Sequence, residues 1–203
     1  MATLAAVNQV GESIVGLLRA RRDLLAAEGN LAPVPNALDI SLLSLGRLAT
    51  MAEPTSGLTI TCYRLAMSDH PTPRTTSRRP ETGASIALDL HYLMAAWPSA
   101  AADEQAIITW AMLELAAHPV LDRSLLLGAN VWERDETVQI APDSIPDDAL
   151  FRVWDAIQHK YRLSTTFRAR VVRVRYGPAE AWPPVVATRL GYADADPLLQ
   201  GPA

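Results

Sequence analysis

Asp89 and His91 stand two residues apart in a run that alternates like a strand, so a carboxylate and an imidazole fall on one face within reach of each other. A small hydrolase built on them needs a nucleophile, and Ser68 and Ser85 stand nearest in sequence. The plainer role for the two is a satisfied polar pair at a subunit contact. The four histidines, His70, His91, His118 and His159, form no i, i+4 pair and have no cysteine partner, so metal-ligand spacing is missing. There is no G-x-S-x-G elbow and no phosphate-cradling glycine loop, and the ten glycines are scattered. No catalytic residue, cofactor site or metal site is assigned, and no enzyme is expected.

Arginines make the denser pattern. Arg168, Arg170, Arg173 and Arg175 crowd one segment, and regular alternation puts Arg168 and Arg170 on one strand face. Such a row commonly protects a sheet edge in solvent. Its sharper use is contact with an acidic partner, because guanidinium groups pair bidentately with carboxylates. Arg74, Arg78 and Arg79, in a segment rich in proline and threonine, invite the same two readings. Trp182 suits either an interface anchor or a ring tucked onto its own domain. The candidate interface is therefore Arg74, Arg78, Arg79, Arg168, Arg170, Arg173 and Trp182.

The elements that carry these residues follow from periodicity. Ile86, Leu88, Leu90 and Tyr92 alternate with Ala87, Asp89, His91 and Leu93, which predicts a strand with one apolar face and a second face only half dry. Trp97-Pro98 ends it, since Pro98 offers no amide hydrogen. Gly57 to Met67 reads as a second strand, and Ser68 to Gly83 as the long tip of an antiparallel hairpin. Leu163 to Val171 alternates as a half-buried strand with a basic face, and Thr137 to Ile140 as a short one.

Helical spacing marks Leu4 to Glu28, closed by Gly29-Asn30, with Arg19, Arg21, Arg22 and Asp23 on a solvated outer face. It also marks Asp103 to His118, stopped by Pro119, and Leu150, Val153, Trp154 and Ile157, with Ser144 as capping oxygen. Leu121 to Leu127 suits a short helical turn, and Ala37 to Leu48 starts as strand.

A chain of 203 residues suits one domain with extensions, here 1–176, followed by a Pro-rich arm over 177–203. With only two Phe, the core is expected to be aliphatic, with Trp and Tyr at its margins. The single Cys62 forms no intramolecular disulfide and reads as a buried structural thiol. A net charge of −4 argues against nucleic-acid binding, which needs a basic surplus. The first helix lacks a basic n-region and a continuous apolar run, so neither secretion nor membrane insertion is expected, and the chain is placed in the cytoplasm.

IALDLHYLMAAW over 86–97, the helix running into His118-Pro119-Val120-Leu121, Thr137 to Pro142, Leu150 to Ile157, and Tyr161-Arg162-Leu163-Ser164 leading to Arg168-Ala169-Arg170-Val171-Val172 occur in a recognisable order. In that order, over about Leu4 to Val174, the chain resembles the cap, or tail-terminator, proteins of bacterial contractile injection systems. The resemblance implies an α/β (α+β) fold, a mixed and largely antiparallel sheet flanked by helices. It also implies a ring, a homohexamer, that seats on the distal end of an inner tube and its last sheath layer and stops their growth. The implied partners are further copies of the chain, a tube protein and a sheath protein, in a particle assembled in the cytoplasm and either kept or released. Larger members extend further beyond Gly177 than this chain does. The readings that compete with it are a monomeric peptide-binding adaptor using the arginine strand, and the hydrolase on Asp89 and His91.

Overall fold

β-Branched and aliphatic residues at alternate positions make two long neighbouring strands, β2 (Leu58–Met67) and β3 (Ala84–Ala96), paired antiparallel. The computed structural model describes residues 2–30, 34–35, 37–52, 54, 56–69, 84–133 and 135–176. Around that hairpin stand α1 (Ala6–Ala27), β1 (Ile40–Leu42), α2 (Leu45–Thr50), α3 (Ala101–Ala117), β4 (Val120–Leu121), β5 (Val138–Pro142), α4 (Asp147–Ile157) and β6 (Ser164–Tyr176). Among the described residues six strands form one sheet in the order β1-β2-β3-β6-β5-β4, with only the β1–β2 pair parallel. This is the mixed, largely antiparallel sheet flanked by helices that the family resemblance implies.

α1 and α3 lie on one face of the sheet. Val10, Ile14, Leu17 and Leu18 of α1 and Ile107, Ala111 and Leu115 of α3 share a core with Ile60, Leu88, Leu90, Tyr92, Phe167 and Val172. Gly11 lets α1 come this close, because a Cβ there would meet the Leu42 methyls at 2.8 Å. Gly57 turns the chain into β2 at φ +102, and a Cβ there would meet Asp39 O at 2.9 Å. α2 and α4 cover the first half of the other face, where Leu48, Trp154 and Ile157 pack on Leu93, Ala95 and Trp97. The strand β3 is therefore dry on both faces over most of its length, not half dry on one, because it lies between β2 and β6 with helices above and below.

Aromatic rings are not confined to the margins either. Tyr92, Trp97 and Trp154 are fully buried. The indole Nε1 of Trp97 donates to Thr59 Oγ1 at 2.9 Å, which satisfies its one polar atom inside the core. The outer arginines of α1 are bonded as well as partly solvated, with Arg19 exposed and Arg21 and Arg22 half-buried. Arg19 donates to Ile40 O, Arg22 to Leu38 O, and Arg21 to Glu114 of α3 at 2.9 Å, so this helix end fastens β1 and α3.

One local expectation holds in part and another fails. Val120 and Leu121 pair with β5, and the short helical turn follows them, where the Leu125 and Leu126 amides donate to Asp122 O at 3.0 and 2.9 Å and the Asp122 carboxylate accepts from the Ser124 amide at 2.9 Å. Ser144 does not cap α4; Pro146 occupies the N-cap position and Asp147 and Asp148 fill the first turn, where their charge meets the helix dipole.

Candidate interface on the open half of the sheet

Strict alternation would carry Arg173 to the face opposite Arg168. The structure avoids this with one extra residue in β6: Ala169 pairs with Leu90 and Val172 with Leu88, so two β6 residues face the single Asp89. Phe167 and Ala169 before the bulge and Val172 and Val174 after it all enter the α1 side of the core. Arg168, Arg170 and Arg173 consequently share the other face.

A second bulge, at Tyr63, does the same for β2. Cys62 pairs with Tyr92 and Arg64 with His91, which sets Arg64, His91 and Arg168 side by side across three strands. The helices α2 and α4 pack on the opposite end of this face, so among the described residues the arginine half has no helix over it.

His91 and Asp143 anchor the boundary between the covered and open halves. The Asp143 carboxylate accepts from His91 Nδ1 at 2.6 Å and from the Tyr63 hydroxyl at 3.3 Å. Since an ionised carboxylate can only accept, the imidazole proton on this side is on Nδ1. The Asp143 amide donates to Thr166 O at 3.2 Å, and the Thr166 hydroxyl donates back to Asp143 O, holding the loop before α4 against β6. Burial pushes the Tyr63 phenol up to about 12, with the Asp143 charge and its hydrogen bond adding to the effect.

Nε of Arg168 and Nε of Arg173 are buried, and no acceptor reaches either among the described residues. Buried donors of this kind cost free energy until an acceptor arrives. Carboxylates are the acceptors that match a guanidinium in both charge and fork geometry. Asp89, buried on the same face, is one acid close to the row.

The hydrolase reading lacks its nucleophile. Arg64 is the residue opposite His91, so Ser68 lies four strand positions farther, about 13 Å, and Ser85 six positions along β3, about 20 Å. Among the described residues no cluster of three His, Cys, Asp or Glu is placed to hold a metal ion, and no helix is long and apolar enough to cross a membrane.

Of the residues singled out from the sequence, Arg168, Arg170 and Arg173 come together, joined by Asp89 and His91. Arg74, Arg78, Arg79 and Trp182 lie outside the described residues. Arg64, Tyr63 and Asp143 were missed. Only Arg64 had a signal, its place in the β2 alternation, and the Tyr63 bulge obscured it.

The sequence profile of the Pvc16 N-terminal domain matches residues 9–188. The chain belongs to that family. Among solved structures, this member of the Pvc16 N-terminal domain family is similar to the sheath/tube terminator of the extracellular contractile injection system PVC in its extended state. The TM-score is 0.53 at 16% identity, over 98% of this chain and 66% of that one. It is also similar to the tube-terminating cap of the anti-feeding prophage, with a TM-score of 0.49 at 16% identity, over 84% of this chain and 60% of that one. The chain thus spans just under two thirds of the length of the terminator structures it matches. At such identity the likeness to PVC is one of fold. No curated protein sequence matches the chain.

Proposed function

We propose that this chain is a structural cap, without catalytic function, that ends the inner tube and sheath of a phage-tail-like contractile injection system. The observation that carries the reading is membership of the Pvc16 N-terminal domain family over residues 9–188. In this reading copies of residues 1–176 close into a six-membered ring on the distal end of the tube, with 177–203 as an arm. A single heterologous contact, repeated by cyclic symmetry, suffices to close such a ring. The particle assembles in the cytoplasm, and release carries the cap out with it.

The open sheet half supports the same reading. Arg168, Arg170 and Arg173 present donors for carboxylates of a tube, sheath or neighbouring cap subunit, and Arg74, Arg78, Arg79 and Trp182 are proposed to extend that contact. Docking of this kind is steered by charge and weakened by salt.

The test is the solution mass by light scattering, with and without purified tube protein, followed by electron microscopy of the tube ends. A mass near six subunits, or rings on tube ends, is expected, and Arg168→Glu with Arg173→Glu removes cap from the tube. A strict monomer that leaves tube length and tube ends unchanged overturns the cap and returns the monomeric adaptor.

A further inference from the structure

The parallel strand β1 covers β2 only from Leu58 to Ile60, and the last backbone bond on that side is Leu43 N to Ile60 O. Beyond it the chain turns away into α2. Thr61 to Met67, about 23 Å of strand, is left as an edge whose outward amides and carbonyls have no backbone partner among the described residues. Natural proteins seldom leave so long an edge without protection.

The edge carries two common guards, the bulge at Tyr63 and the charge of Arg64, yet beyond the bulge its α1-side residues are apolar and exposed. Leu65 and Met67 are 54% and 68% exposed, and Ile86 across the hairpin is 41% exposed, all on the α1 side of the sheet. Next to them a groove of about 400 Å³ opens against the edge. It is walled by Leu4, Val7 and Glu12 near the start of α1, by Leu43 and Ser44 where β1 leaves the sheet, and by Cys62. Tyr92 of β3 also lines it, so the groove lies between α1 and the sheet face and borders the edge at Cys62.

The opposite side of the edge is charged. Arg64 is exposed there and has no ionic partner among the described residues, with Arg168 two strands away in the same row. An added strand sets its side chains beside those of β2, face for face. Its α1-side residues meet Leu65, Met67 and the groove, where Glu12 excludes acids. Its other residues meet Arg64.

We propose that the β2 edge from Thr61 to Met67 receives an extended segment of another polypeptide as an added strand, with apolar side chains toward α1 and acidic ones beside Arg64. Main-chain hydrogen bonds supply affinity in such a contact and alternate side chains supply choice of partner. The inference rests on the edge itself and holds whether or not the chain caps a tube.

Hydrogen exchange of the full chain tests it with the capped heptapeptide Thr-Glu-Val-Glu-Val-Glu-Thr as probe. At about ten times its dissociation constant the peptide slows exchange of the outward amides of Thr61–Met67 about tenfold. The lysine counterpart Thr-Lys-Val-Lys-Val-Lys-Thr leaves them unchanged, and Arg64→Glu reverses the preference. Leu65→Lys with Met67→Lys, both at exposed positions, abolishes protection while the circular dichroism spectrum stays native. Unchanged exchange at saturating solubility overturns the proposal. So does protection that appears with protein concentration alone, which would assign the edge to a second copy of the chain.

Discussion

Arg168 and Arg173 share one face of β6 although five positions separate them, because the extra residue opposite Asp89 resets the alternation between Ala169 and Val172. The bulge keeps Val172 and Val174 in the core while collecting the arginines on the open side.

The two neighbours Val172 and Arg173 should therefore respond oppositely to truncation. Val172→Ala is expected to cost about 2 kcal/mol, from lost burial and the cavity left behind. Arg173→Ala should stay within about 0.5 kcal/mol. Urea unfolding of both variants checks this, and equal costs would contradict the assigned faces.

Tyr63 makes stability fall in alkali. Its folded phenol is pushed up to about 12 from an ordinary value of 10.0, so the neutral form is the one the fold prefers. That contribution is complete below pH 10, where both states are protonated, and is lost as pH rises from 10 through about 12. Tyr63→Phe should cost about 1 kcal/mol at neutral pH through its hydrogen bond to Asp143. The gap between wild type and variant should narrow above pH 10 in denaturant titrations; a constant gap would refute the assignment.

Thr59 is the acceptor for Trp97 inside the core. Thr59→Val preserves shape and leaves the indole hydrogen without a partner, an expected loss of about 2 kcal/mol, whereas Thr59→Ser should retain most of the stability. If valine and serine cost the same, the hydrogen bond is not what the site supplies.

Arg21 and Glu114 join α1 to α3, and the Glu114 side chain is only 11% exposed. Arg21→Met should lose about 2 kcal/mol because it leaves a buried carboxylate with only His118 Nδ1, at 3.8 Å, as its ionic neighbour. Adding Glu114→Leu should recover most of that loss, and a double-mutant cycle in urea reads the coupling directly. Additive losses would show that the two side chains act independently.

Periodicity alone was enough to place the long strands, the three larger helices, the hairpin and the stop at Pro119, because a repeat of two or of 3.6 residues is set by backbone geometry and is written in neighbouring positions. It also put Asp89 with His91 and Arg168 with Arg170. Only the tertiary structure put Asp143 on His91 across 52 positions and Glu114 on Arg21 across 93. It alone inserted the two bulges that bring Arg64 and Arg173 to the arginine face, and buried Tyr92 and Trp97 at the centre. Those outcomes depend on which helix covers which half of the sheet, a contest among distant segments for the same apolar surface, and no local spacing records its result.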